Sequence, residues 1–307
     1  MDADEYVVLL LSDSNLPTGG FIASGGLESY FSHGFMGSSR TLMPTSLAFS
    51  EHFLQNYTAN SLPYSDAAYL VASAHLEGSM LHDEAIAALA ALDWRQHTIL
   101  LNHVGRRASM IQGSAILALY ARSFAAPAGL PPTPEQLVAR DLISAMRMHI
   151  RRGGARLQAG EPLEDAMAGH IAVCFGVFAA CMGVTRKRML RLCVFLQARN
   201  IMSCSIRLNT LGPYLAHQLL AFQLRPLVER LSSDYSTDIG ERLVQQVTQT
   251  RSTSPEIDRE PLGPWDQVWD WDWADDESTL DMPATTWPLG EIVLARHDQL
   301  HSRLFNS

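Results

Sequence analysis

Apolar residues recur three and four positions apart along nearly the whole chain, the spacing that lines one face of an α-helix. Asp2–Leu11 reads as a short amphipathic helix stopped by Pro17 and Gly19-Gly20, and Ser24-Gly25-Gly26 as a loop and cap leading into Leu27, Tyr30, Phe31 and Phe35. Pro44 suits a first helical turn ahead of Leu47, Phe49, Phe53 and Leu54, and Ser61 is placed to cap a helix carrying Leu62, Tyr69, Leu70 and Leu76. The pattern then predicts helices over His82–Leu92 and His97–Phe124, the second rich in small residues such as Ala108, Gly113 and Ala118 that suit close helix packing. After a Pro/Ala/Gly turn, Thr133, Pro134 and Gln136 have the spacing of a capping box.

Arg151-Arg152-Gly153-Gly154 reads as the break that ends this helix, and Pro162–Val184 as a long apolar helix. Arg186–Asn200, Ser205–Leu231, Asp238–Arg251 and Leu289–Leu304 complete the helical set. No β-alternation, no Asn-Gly or Asp-Gly hairpin turn and no repeat of solenoid period appears. The expected fold class is therefore all-α, one compact multi-helix domain interrupted by an irregular acidic, Trp-rich insertion. The expected division is a helical body over 1–251, the insertion over 252–288, and a terminal helix and tail of the same domain over 289–307.

Charge sharpens that division. The chain of 307 residues has a net charge of −9. Pro255–Trp287 holds ten acidic residues against Arg259 alone, so the 22 basic and 22 acidic residues outside it cancel. Five of the six tryptophans fall in the same stretch. An acidic balance argues against a nucleic-acid binder, which needs surplus Lys and Arg for phosphates. Lys187 is the only lysine and precedes Arg188, so the Gly-Lys-Ser/Thr of a phosphate-cradling P-loop is missing. Cys174, Cys181, Cys193 and Cys204 form no CxxC pair and read as buried free thiols of a reducing compartment. The acidic start is wrong for a signal peptide, and the longest apolar run, Ile171–Val184, is short for a membrane span. A soluble, cytoplasmic protein is expected.

Catalytic signals are weak. His297-Asp298-Gln299-Leu300-His301 spaces two histidines on one helix face and resembles a zinc-hydrolase motif, but it has Asp in place of Glu and no third ligand. There is no Gly-x-Ser-x-Gly, and Cys204 reads as a core thiol. His170 reads as a core or cap histidine. Arg207, set among Ile206, Leu208 and Leu211, reads as half-buried and in need of a carboxylate or carbonyl. A terminal Arg-Leu-Phe flanked by polar residues has instead the composition of a docking hot spot.

Four blocks carry a resemblance. Leu11–Tyr30 (LSDSNLPTGGFIASGGLESY) resembles the N-terminal signature of UreF, the urease accessory protein family. Gly169-His170 with Phe175-Gly176 resembles that family's central helix. Ser205–Pro213 with Arg207 and Gly212, continuing to Gln218, resembles its late helix, and Arg296–Ser307 its terminus. The resemblance implies an all-helical, non-enzymatic protein that tends to dimerise. It implies binding to the accessory protein UreD (UreH) and recruitment of the GTPase UreG, in a complex that delivers nickel to apo-urease. No cofactor or metal site of the chain's own is implied, nor a nucleic-acid or membrane partner. Carried over by position, Tyr30, Arg303, Leu304 and Phe305 are the expected partner-binding residues, followed by Glu28, Pro17, Gly19 and Gly20. Ala23 stands where the family often has histidine, and Pro255–Trp287 has no counterpart in the family pattern. Direct activation of the GTPase by an arginine finger is the alternative reading, and a helical metal hydrolase using His297 and His301 a remote one.

Overall fold

The computed structural model describes residues 2–13, 16, 23–37, 41–160, 166–249 and 282–306. Among them the fold is all-α, with no strand. The helices are α1 (Ala3–Leu11), α2 (Leu27–Ser32), α3 (Leu42–Asn60), α4 (Leu62–Leu76), α5 (His82–Ile99), α6 (His103–Leu119), α7 (Pro134–Ala159) and α8 (Ile171–Cys181). They continue as α9 (Arg186–Arg207), α10 (Pro213–Gln218), α11 (Leu224–Ser233), α12 (Asp238–Gln249) and α13 (Pro288–Ala295). Single π-turns extend α6 over Tyr120–Phe124 and α10 over Leu219–Gln223.

The centre is the crossing of α4 and α8, both buried nearly all round, with α5, α6, α9 and α12 packed about them. Two glycines permit this proximity. A Cβ on Gly176 would sit 2.2 Å from the Ser65 carbonyl oxygen, and one on Gly113 would sit 2.1 Å from that of Gly169. Asp66 of α4, fully buried, is forked by Arg186 at 2.6 and 2.9 Å and receives the Tyr235 hydroxyl at 3.0 Å. A buried carboxylate needs such partners to be tolerated.

Several sequence expectations change. The Thr133 capping box forms as read, but Gly153-Gly154 does not stop α7, which runs on to Ala159 and ends at Gly160 in the left-handed region (φ 72°). Tertiary packing of Gly153 in the interior outweighs the roughly 1 kcal/mol that each glycine costs a helix. The helix expected from Pro162 is found from Ile171, because Ala166–His170 is buried and non-helical, with Gly169 in the left-handed region (φ 86°) and His170 extended. α5 is one helix through residues 93–96, and the break falls at 100–102, where Asn102 caps α6. Ser205 lies inside α9, and the chain turns at Asn209 (φ 55°) instead. Ser61 separates α3 from α4 without a side-chain cap. α1 ends at Leu11, and Pro17, Gly19 and Gly20 lie outside the described residues.

Past the acidic stretch the chain returns at Met282, whose sulfur receives a hydrogen bond from Gln246 of α12. Asn56 Oδ1 then accepts from Thr285 Oγ1 and from the amides of Thr286 and Trp287, at 2.7–3.2 Å, and fastens the start of α13 to α3. Beyond α13 only a 3-10 turn, Arg296–Gln299, follows, and Leu300 is extended, so the helix expected to Leu304 stops short.

Candidate functional site

The most elaborate polar construction joins the two ends of the sequence. Gly25 and Gly26 both take positive φ (61° and 88°), which turns the chain into α2 and seats Gly26 against Leu294 of α13. Glu28, in the first turn of α2, is 4% exposed. Its carboxylate accepts the Leu304 amide at 2.5 Å, the Phe305 amide at 3.0 Å and His297 Nε2 at 2.9 Å. Next to it, the Ser29 hydroxyl donates to the Val293 carbonyl at 2.7 Å. Phe305 is buried, with the Arg207 guanidinium 4.2 Å above its ring centre. Arg207 thus makes a cation–π contact with the tail in addition to any polar partner.

Asp298 gathers the outer layer. Arg107 grips it bidentately at 2.8 and 2.9 Å, Arg303 reaches it at 2.8 Å and His103 at 3.3 Å. Arg107 also donates to the Asn306 carbonyl at 3.1 Å, so the tail is tied to α6 from both sides. The Arg107 guanidinium, first among these partners, holds the Asp298 carboxyl far below the usual carboxylate range. Asp298 in turn raises Arg107.

The expected partner-binding residues therefore divide. Arg303 and Leu304 face outward, Leu304 with half its surface exposed. Tyr30 is half-buried, stacked on Phe35 at 5.0 Å and edge-on to Phe49 at 5.1 Å. Glu28 and Phe305 are interior and form the seat of the tail, not its outer face. Phe31 of α2, Phe35 just past it, and Leu289 and Ile292 of α13 are exposed apolar side chains. Gly212 and Gln218 are exposed at the two ends of α10 and take no part in holding the tail.

His170 and Gly169 belong to a second cluster. The Asp93 carboxylate, buried in α5, accepts the successive amides of Ala168, Gly169 and His170, which turns Ala166–His170 into the entry of α8. His170 Nε2 lies 3.0 Å from His97 Nδ1, and its Nδ1 lies 3.1 Å from Ser109 Oγ, which also receives the Ile171 amide. Burial, then the charges of His97 and Arg106, pushes His170 down to about 3. Burial also lowers His97 and raises Asp93, against the pull of its three amide donors. The ring of His170 is thus a neutral buried link between α5 and α6.

The remote hydrolase reading loses its geometry. His297 is enclosed against Glu28, whereas His301 is exposed beyond an extended Leu300, so the two share no helix face. Among the described residues no three His, Cys, Asp or Glu side chains gather as a metal site. Burial pushes the thiols of Cys181, Cys193 and Cys204 up to about 12, which makes them poor nucleophiles. Sequence reasoning missed Asp93, Arg107, His103 and Asn56, whose partners lie far off along the chain and leave no local pattern.

Fold and site define a helical protein whose best-built surface is a docked terminal tail. The UreF family model matches residues 47–223, more than half of the chain. Urease accessory protein 6 of Cryptococcus neoformans var. grubii is 32% identical over 335 residues, covering 98% of this chain and 96% of that protein. Urease accessory protein F of Oryza sativa subsp. indica is 27% identical over 81% of this chain and 77% of its own, and that of Arabidopsis thaliana 27% over 66% and 68%. The chain belongs to the UreF family of urease accessory proteins. No helix among the described residues is long and apolar enough to cross a membrane.

Proposed function

We propose that the chain is a non-enzymatic scaffold of urease maturation, one that bridges a UreD/UreH-like protein and a UreG-like GTPase while nickel, the cargo, passes to apo-urease. The surface made by α2, α13 and the tail is its GTPase side. One observation carries this reading: the Glu28 carboxylate and the buried Phe305 lock the tail so that Arg303 and Leu304 are presented outward at fixed positions. A preorganised docking segment avoids the ordering cost that a loose one incurs on binding. A scaffold needs no catalytic group; it raises the effective concentration of its partners and favours one conformational state.

The test is urease activation in a host carrying urease and the other accessory proteins but lacking this component. Wild type restores activity, and Arg303→Ala loses both activity and retention of the GTPase in a pull-down. Full activation by a stably folded Arg303→Ala, Leu304→Ala double variant refutes this assignment of the surface.

A further inference from the structure

Two helices carry eleven of the 23 basic residues, and they differ in what answers that charge. α9 has Arg186, Lys187, Arg188, Arg191, Arg199 and Arg207, but its own fold engages four of them: Arg186 by Asp66 and Glu241, Arg188 by Asp2 and Asp4, Arg199 by the Ser12 carbonyl, Arg207 by Phe305. α7 carries five arginines against Glu135 and Asp141. Arg156 has a partner, and the exposed neighbours Arg140 and Asp141 pair at 3.6 Å. Arg147, Arg151 and Arg152 pair with no carboxylate among the described residues, and Arg152 donates to the Met148 sulfur at 3.8 Å. Spacings of seven and four residues put Arg140, Arg147 and Arg151 along one face. Leu137, Val138 and Met148, more than a third exposed, lie among them.

The complementary sequence lies in the same chain. Residues 256–281 contain all ten acidic residues of the acidic stretch, and Trp269-Asp270-Trp271-Asp272-Trp273 alternates indoles with carboxylates. Guanidinium groups both pair with carboxylates and stack on indoles, and exposed Leu, Val and Met side chains receive aromatic rings. Reach is ample. The stretch leaves at Gln249 and returns at Met282, which Gln246 binds; Gln246 binds Arg95 of α5 at 2.6 Å, and Asp93 on the same helix holds residues 168–170. Next to these, the Met167 amide bonds the His149 carbonyl of α7 at 3.3 Å. Anchored at both ends, the 32 intervening residues, about 100 Å at ~3.3 Å each, can reach out roughly 50 Å and return.

We propose that the Arg140–Arg152 face of α7 is a docking site for the chain's own acidic, Trp-rich segment 256–281. The segment occupies the arginine face in cis, where its carboxylates offset Arg147, Arg151 and Arg152, which no carboxylate answers among the described residues.

Trypsin cleavage after Arg259, the single basic residue of the segment, reads the docked state in the full chain. At about 50 mM salt, where screening is weak, Arg147→Glu/Arg151→Glu/Arg152→Glu speeds that cleavage about tenfold over wild type, three modest exposed pairs being lost together. Tryptophan emission shifts to the red with it, and the melting temperature stays put. Neutralising the other side, with Asp270→Asn/Asp272→Asn/Asp275→Asn/Asp276→Asn, gives the same acceleration without touching α7. Lys187→Glu/Arg191→Glu on α9 leaves the rate at the wild-type value. Equal cleavage in wild type and both sets of variants overturns the proposal, as does acceleration by the α9 pair alone. A wild-type rate that rises on dilution assigns the segment to a second copy and overturns docking in cis.

Discussion

Glu28→Gln tests the tail lock with almost no change of shape. The carboxylate accepts from Leu304 on one oxygen and from Phe305 and His297 on the other. A Gln amide offers one oxygen and one NH2. Whichever way it is turned, a backbone N–H of Leu304 or Phe305 faces another donor. His297 can adapt by changing tautomer, but a backbone amide cannot. The loss of a charge-assisted bond, about 1.5–3 kcal/mol, adds to the penalty of a buried donor left unsatisfied, about 1–3 kcal/mol. What remains to hold the tail is burial of Phe305, about 2–3 kcal/mol, its contact with Arg207, about 0.5–2 kcal/mol, and the partly exposed Asp298 pairs, about 1 kcal/mol. The lost bond and the unsatisfied donor together weaken docking by roughly 2.5 kcal/mol or more, while the remaining contacts keep the docked tail the major state. Native-state hydrogen exchange follows the Leu304 and Phe305 amides directly. They are expected to exchange about a hundredfold faster in Glu28→Gln, while amides at the start of α8 keep their protection. Exchange within about threefold of wild type at both positions would show that Glu28 does not hold the tail.

Two further outcomes follow from the interior. His170, pushed down to about 3, stays neutral in the fold while an unfolded histidine takes a proton below about 6.5; its contribution is intact above that pH and declines by about 1.4 kcal/mol per unit on acidification towards 3. Urea midpoints measured from pH 7.5 to 5 should show that slope in wild type and a shallower one in His170→Gln, and identical slopes refute it. Gly176→Ala places a methyl group 2.2 Å from the Ser65 carbonyl oxygen and forces α4 and α8 apart, at a cost of about 1–3 kcal/mol or more. Its thermal midpoint should fall by several degrees, whereas Gly154→Ala, with no atom within 4 Å of the new carbon, should not lower it.

Local chemistry was legible where its partners are local. The Thr133–Gln136 box and the apolar periods of α3 and α4 depend on neighbours a few residues away, and they fold as read. Helix ends were misplaced where a distant side chain decides them. Asp93 draws out Ala166–His170 from 75 residues upstream, and nothing near Pro162 announces it. The tail failed as a helix for a related reason: its Leu304 and Phe305 amides bond to Glu28, some 276 residues away, instead of to carbonyls one turn back. The terminal Arg-Leu-Phe stood out by composition, yet its division into an outward Arg303 and Leu304 and an inward Phe305 needed the partner on α2.

The clamp at Asn56 has a consequence for how this chain tolerates change. The backbone departs at Gln249, and Met282 is held against Gln246 a turn before that departure, with Thr285, Thr286 and Trp287 fastened to one side-chain oxygen. Departure and return are therefore neighbours, and both are secured by residues of the helical body. For the seating of α13 and the tail, the length between these anchors matters little: doubling it adds only about 0.6 kcal/mol of closure entropy. Insertions or deletions between the anchors therefore leave α13 and the tail in the same seat.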